Sequence, residues 1–311
     1  MTESADYERL RGSVGLVDRS ERGKLLVEGA EAAEFLQGQL TNDVVALSPG
    51  TGCYAALLSH KGKMRADARV LRGDGWIWLD SERIGLPALL RTMTTYSLGR
   101  DVLFEDRTAT HSILSLIGPG ARDALRAEQV PPEREHAFVE ADDRLFVATD
   151  LGVDVLCPLG KAAAVREALA VEAVSESAAE CLRIESGRPR YGLEMDIETI
   201  PQEAGLNERA VSYTKGCYVG QETVARLYYK GKPNRHLRGL VLSAPAERAA
   251  ALVLRERVVG RIGSSAVSPV HGPIALALVR REASPGDTVL VGDAGAPAEI
   301  VDLPFPPGQR G

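Results

Sequence analysis

At 311 residues, 44% hydrophobic and 26% charged, the chain is too long for one core and has the make-up of a soluble globular protein. A formal net charge of −6 argues against broad, non-specific nucleic-acid binding and leaves room only for a local basic patch. Four scattered cysteines (53, 157, 181, 217) without a C-x-x-C pair argue against a metal finger or disulfide framework, so no metal ligand set is expected.

The N-terminal MTESADYERLRGSVG has no apolar export core, and no run approaches the ~18 apolar residues of a membrane span. A reducing cytoplasm is the expected setting, with no membrane partner. SVGLVDRSERGKLLVEG reads as two short strands joined by a turn at Ser20–Gly23. A helix follows, because Ala32, Phe35, Leu36 and Leu40 fall on one helical face. CYAALLSHKGKMRADARVLRGDGWIWLD reads as a meander with turns at Ser59–Lys63 and Gly73–Gly75. IGLPALLRTMTTYSL predicts a helix and DVLFEDRT a strand. Strands packed with helices in this order suggest an α+β arrangement with split β-α-β character.

Residues 112–185 read as a second pass of the same kind. SILSLIGPGARDAL is expected as strand, turn and helix, PPERE as a loop, RLFVATD and GVDVLCP as strands, and KAAAVREALA as a helix. From His236 the texture changes to short β-runs at near-regular spacing, the pattern of a small antiparallel barrel or sandwich. The expected division is 1–235 and 236–311.

The chemistry concentrates at KGCYVGQE, residues 215–222. Cys217 has Lys215 two residues before it and polar neighbours after it, unlike a cysteine packed among aliphatics. If TKGCYVGQETVARLYY begins a helix, Cys217 lies in the first turn, where free N–H groups and the dipole stabilise a thiolate. A half-buried structural cysteine at a helix start is the competing reading. The other three cysteines sit in apolar contexts and read as structural.

SVGLVDRSERGKLLVEGAEAAEFLQGQLTNDV, LRIESGRPRYGLEMDIETIPQEAGL and GRIGSSAVSPVHGPIALALV resemble the folate-binding aminomethyltransferase superfamily of the glycine-cleavage T-protein. KGCYVGQE resembles the mark of one branch, the YgfZ family of iron–sulfur cluster maintenance proteins. The resemblance implies ferredoxin-like split β-α-β parts around a central cavity, followed by a small C-terminal antiparallel β-barrel. It implies tetrahydrofolate or a one-carbon derivative as the bound ligand. A transient iron–sulfur cluster, iron–sulfur client or assembly proteins as partners, and an effect on tRNA modification also follow from it; direct tRNA binding is the less favoured alternative.

On the same resemblance Glu194, in RYGLEMD, stands where the family places a carboxylate that accepts two parallel bonds from the pterin edge; a surface acid is the plain alternative. Tyr191 offers a ring face for stacking or simple packing. ARLYYKGKPNRHLRGL holds Arg226, Lys230, Lys232, Arg235 and Arg238 without an acid. It can meet a glutamate tail, an RNA backbone or only solvent. In HKGKMRADAR the family's acid pair is reduced to Ala66–Asp67, leaving Asp67 as the one carboxylate, free to take a proton or pair with Lys63 or Arg65. Thr41, Asn42 and Asp43 are expected either to line the same cavity or to form a helix C-terminal turn. The catalytic candidates are therefore Cys217, Lys215 and Asp67. The folate-binding candidates are Glu194, Tyr191, Asn42, Arg226 and Arg235. A folate-dependent aminomethyltransferase or demethylase remains the competing activity.

Overall fold

The computed structural model describes residues 3–306. A helix that the sequence pattern did not disclose comes first, α1 (Glu3–Gly12), with Tyr7 and Leu10 buried. β1 (Gly15–Asp18), β2 (Gly23–Glu28) and α2 (Ala32–Gln39) follow as expected. β1 and β2 nevertheless belong to different sheets. The meander forms as β3 (Thr51–Leu58), β4 (Met64–Arg72) and β5 (Trp76–Ser81), then α3 (Leu86–Tyr96) and β6 (Leu103–Asp106). These strands make a five-stranded antiparallel sheet in the order β3-β4-β5-β2-β6. With β2 inserted between β5 and β6, and α2 and α3 against one face, this is the expected split β-α-β arrangement. Phe35 and Leu36 of α2 and Leu89 and Met93 of α3 pack on Val27 and Leu79. Each such side chain contributes about 1.5–3 kcal/mol by leaving water.

The second sheet uses β7 (His111–Ile117), β8 (Phe138–Ala141), β9 (Arg144–Ala148) and β10 (Gly152–Pro158), in the order β1-β7-β10-β9-β8. The helix expected at ARDAL does not form; residues 121–125 make turns, and Arg122 donates to the carbonyls of Pro131 and Pro132. A tertiary bond of this kind outweighs a short run of moderate helix propensity. β8, missed in the sequence, pairs with β9 across Asp142 and Asp143. Both have left-handed φ, 54° and 58°, as a two-residue primed turn requires. α4 (Ala162–Leu169) and α5 (Glu176–Glu185) come next, the former where KAAAVREALA was expected.

The two sheets meet through Leu71, Trp78, Ile113, Phe138 and Leu156. A buried ionic group crosses the same layer. Arg69 donates to Asp80 at 2.7 Å and to Asp154 at 2.6 Å, and Ser115 donates to Asp154 at 2.6 Å.

After α6 (Asn207–Ala210) and α7 (Gln221–Lys230) the chain enters a closed six-stranded barrel. Its strands are β11 (Arg235–Leu242), β12 (Ala251–Leu254), β13 (Arg257–Ser268), β14 (Gly272–Arg280), β15 (Thr288–Val291) and β16 (Ala296–Val301). The order β11-β14-β13-β12-β15-β16 returns to β11, so no sheet edge is left open. Leu240, Leu252, Ile262, Val289 and Ile300 fill the interior. Ile184 of α5 packs with Leu276 and Phe305, seating the barrel on the first body. Among the described residues no helix is long and apolar enough to cross a membrane.

Candidate functional site

Strand alternation builds the site. On β3 and β4, residues pointing toward the helices enter the apolar core, and those on the opposite face are Tyr54, Asp67 and Arg69. Asp67 is 5% exposed and faces a cavity of ≈ 150 Å³. The Tyr54 hydroxyl donates to its Oδ2 at 2.6 Å, while its Oδ1 is buried without a donor. Burial, with Glu82 nearby, raises the Asp67 carboxyl above its ordinary range. The partners expected for it lie elsewhere. Lys63 pairs with Glu198 at 3.2 Å, and Arg65 is exposed. Ala66 is fully buried in the apolar core, so an acid at that position would not have shared the cavity with Asp67.

The rest of the cavity is ionic, and each arginine on its wall has a carboxylate. Arg22 pairs with Asp80 and Glu82, and Arg190 with Glu82 and Glu180. Arg183 pairs with Glu180 and Glu194, and Arg188 with Asp150. Arg209 pairs with Glu135 and lies 4.9 Å over the Tyr54 ring. Despite burial, Arg22 and Arg190 hold the Glu82 carboxyl down to about 2. Asp67 is the buried acid at this cavity that has no ion-pair partner among the described residues, and its Oδ1 is a buried acceptor that lacks a donor; Glu21, also unpaired, is exposed.

Glu194 is brought close, but behind the wall. Its side chain is 0% exposed. Oε2 accepts from Arg183 at 3.2 Å and from the Arg190 amide at 2.9 Å, and Oε1 accepts from Ser264. The two parallel acceptor positions expected for a pterin edge are thus filled by protein donors. Gly263 permits this packing, since a Cβ there would stand 2.8 Å from the Glu194 Cγ. Tyr191 is buried among Leu58, Met64 and Met195 and does not line the Asp67 cavity. Asn42 is structural: its amide donates to the Tyr54 carbonyl at 2.9 Å and the Arg209 carbonyl at 3.3 Å, and its Oδ1 accepts from the Asp43 amide. Thr41 is fully buried and bonded to the backbone of Ala56 and Ala210. Of the two readings of this triplet, the helix-terminal turn is the one that forms.

KGCYVGQE is an irregular loop ahead of α7, so the expectation that Cys217 occupies the helix's first turn is corrected: α7 begins at Gln221, after Gly220 as N-cap. Cys217 is exposed. Its neighbours point inward. Lys215 is 8% exposed, and its ammonium donates to the carbonyls of Gln37, Leu40 and Asn42 at 2.6, 2.7 and 2.9 Å. These carbonyls end α2, where a cation complements both unfilled acceptors and the dipole. Burial lowers the Lys215 amine to about 8. The lysine therefore anchors the loop rather than standing beside the thiol. Tyr218 is buried and Gly220 has φ 85°, with the Ser59 carbonyl 2.5 Å from where a Cβ would be. The Gln221 amide donates to the Tyr218 carbonyl at 3.2 Å, while the side chains of Gln221 and Glu222 make no hydrogen bonds among the described residues.

The basic stretch divides. Arg235 forks onto Glu203 at 3.2 and 2.7 Å, and Arg238 pairs with Asp302 at 3.5 Å. Arg226 is exposed on α7, away from the Asp67 cavity. Tyr228 stacks on Tyr213 at 3.8 Å. The other thiols are hindered: burial pushes Cys53 and Cys181 up to about 12 and raises Cys157. Among the described residues no group of three or more His, Cys, Asp or Glu is placed to hold a metal ion.

Tyr54, Arg22, Glu82, Arg183 and Arg190 were not found from sequence. The available signal was the charge density of RIESGRPR and the alternation of Tyr54 with Asp67, which becomes legible only once the β3–β4 register is known.

The GCVT N-terminal domain model matches residues 2–141, and the glycine cleavage T-protein C-terminal barrel domain model matches residues 235–306. An uncharacterized protein of Haemophilus influenzae is 32% identical over 212 residues, covering 67% of each chain. An aminomethyltransferase of Chlorobium luteolum is 28% identical over 329 residues, covering 97% of this chain and 89% of that one. The crystal structure of glycine cleavage system aminomethyltransferase T from Bartonella henselae superposes with TM-score 0.88 at 25% identity. It covers 97% of this chain and 89% of that one.

Proposed function

The chain belongs to the glycine cleavage T-protein family, with its GCVT N-terminal domain and C-terminal barrel, and on that premise we propose that it is a tetrahydrofolate-binding protein of the YgfZ branch. In this reading it supports iron–sulfur cluster assembly or repair, and so tRNA modification indirectly, through the exposed Cys217. The observation that carries the folate reading is Asp67: a buried carboxylate whose Oδ1 faces a cavity without a donor. Such an oxygen costs about 1–3 kcal/mol until a donor reaches it, and the N–H groups of a reduced pterin are donors of the right kind. A reduced folate, when bound, supplies a one-carbon unit.

The residues of the chain do the rest. Tyr54 fixes the Asp67 carboxylate in place through its hydroxyl. The raised Asp67 carboxyl suits it to hold or pass a proton near neutral pH more readily than a solvated acid. Glu194 acts one step back, by holding Arg183 on the cavity wall. Lys215 holds the loop that presents Cys217 to solvent. Arg235 is already matched by Glu203, and Arg226 stands away from the Asp67 cavity, so neither is assigned to a glutamate tail.

Titration of the full chain with tetrahydrofolate tests the ligand. Saturable binding is expected, weakened at least tenfold in Asp67→Ala; absent binding, or equal binding in the variant, refutes it. Cys217→Ser should fold normally yet fail to rescue a strain lacking the corresponding protein, and full rescue would remove the thiol from the account. The aminomethyltransferase reading is favoured by one observation, the survival of Asp67 in the cavity although Ala66 is not acidic. A methylene-transfer assay separates the two, and no turnover is expected.

A further inference from the structure

Among the described residues lining the Asp67 cavity, two buried side-chain atoms are left without a hydrogen bond, and they are of opposite kind. One is the Asp67 Oδ1, an acceptor; the other is the Arg209 Nε–H, a donor. The remaining guanidiniums of that wall are turned onto carboxylates: Arg22 onto Asp80 and Glu82, Arg183 onto Glu180 and Glu194, Arg190 onto Glu82 and Glu180. A guanidinium carries five N–H donors in one rigid plane, so fixing one of them fixes the direction of the rest.

The fold holds Arg209 from both ends. At its head, Nη2 pairs with Glu135, from the segment ahead of β8. At its backbone, two consecutive side chains staple α6 to β3. The Thr41 hydroxyl donates to the Ala210 carbonyl at 2.6 Å and accepts from the Ala56 amide at 2.8 Å. The Asn42 amide donates to the carbonyls of Tyr54 and Arg209, at 2.9 and 3.3 Å. Arg209 is thereby set over the Tyr54 ring, whose hydroxyl reaches the Asp67 Oδ2. A charged donor buried without an acceptor is destabilising, and the penalty is removed when a ligand supplies one.

We propose that Arg209 is a specificity-determining residue of the Asp67 cavity: its Nε–H donates to an acceptor on the ligand while Asp67 takes a donor from the same ligand. This rests on the folate reading for the identity of the ligand and adds the edge that is recognised. That edge carries both an N–H and a C=O, as a lactam does. The 2-amino-4-oxo ring of a reduced pterin has such an edge. Exchanging the oxo group for an amino group reverses it and puts a donor where Arg209 needs an acceptor. A site built for hydrogen bonds rejects an analogue that cannot make them, because its own buried groups are then left unpaired.

Calorimetric titration of the full chain with 6-methyltetrahydropterin and with its 4-amino analogue tests the assignment, the ratio of the two dissociation constants being the readout. The preference of the wild type for the 4-oxo ligand is expected to fall at least tenfold in Arg209→Lys and in Arg209→Gln. The lysine keeps a cation for Glu135 but has no Nε–H, so it separates this donor from charge alone, and a thermal melt checks that it folds. The ratio cancels whatever a variant does to both ligands alike. An unchanged ratio in both variants, or in Arg209→Lys alone, overturns the assignment. In the wild type itself, the Arg209 Nε–H proton resonance should move downfield with the 4-oxo ligand and not with the 4-amino one; no movement with the 4-oxo ligand overturns it equally. The folate reading fails separately. A wild type that binds neither tetrahydropterin nor tetrahydrofolate removes both, whereas one that binds tetrahydrofolate with unchanged ratios in the variants removes Arg209 only.

Discussion

Asp67 and Glu194 exchange the parts that their sequence contexts suggest. Glu194 has the flanking motif, yet three protein donors occupy it. Asp67 has only a tyrosine and faces space. The difference follows from position: β4 turns Asp67 to the open face, while the barrel's Gly263 closes over Glu194. Because the folded carboxyl of Asp67 titrates above its unfolded value, its contribution to stability is complete below the unfolded value, 3.8, and is lost as pH rises through the folded one. Asp67→Asn, which does not ionise, should therefore melt higher than the wild type at neutral pH. The gain is roughly 2–4 °C, the worth of ~1 kcal/mol in a domain of this size. It should shrink toward pH 4, and a constant offset across this range in a melting series would contradict the raised carboxyl.

At the level of elements, the loop before α7 shows how an exposed thiol is held without being buried. Lys215 and Tyr218 face inward, Cys217 outward, and the Val219 amide donates to the Gly38 carbonyl at 3.2 Å. The loop is thus clamped to the end of α2. Lys215→Met leaves three carbonyls without their cation and should cost about 1.5–3 kcal/mol in denaturant unfolding. A second signature is pH. The folded amine titrates near 8 and the unfolded one near 10.5, so between these values the unfolded state binds the extra proton and wild-type stability rises with pH. Lys215→Met should lack that rise. The polar flanks of KGCYVGQE set Cys217 apart from the three cysteines in apolar contexts, and that distinction was legible: it is the exposed one. The inward turn of Lys215 was not, because its acceptors lie some 175 residues away. In the same way ARDAL looked helical until the Pro131 and Pro132 carbonyls are seen to claim Arg122.

Across the whole molecule, two sheets are joined by a layer that is part apolar and part ionic. Arg69 lies at its centre, bonded to Asp80 from its own sheet and to Asp154 from the other. Despite burial, Arg69 holds the Asp154 carboxyl below its ordinary value, so that group's contribution is present above the unfolded value and lost as pH falls through the folded one. Arg69→Met strips both acids of this cation and should cost about 3–5 kcal/mol at neutral pH. The loss should diminish in acid as the stranded carboxylates protonate; a uniform loss at all pH values would point to packing instead. By itself the sequence determined the α+β order, the meander and the barrel strands, because these depend on periodicities of two and 3.6 residues and on turn residues close by. Only the tertiary structure decided that β1 leaves its neighbour for the second sheet, that Arg69 meets Asp154, and that Asp67 rather than Glu194 keeps an open acceptor. Those outcomes depend on which distant groups fill a hydrogen-bonding site first, and no local pattern encodes that competition.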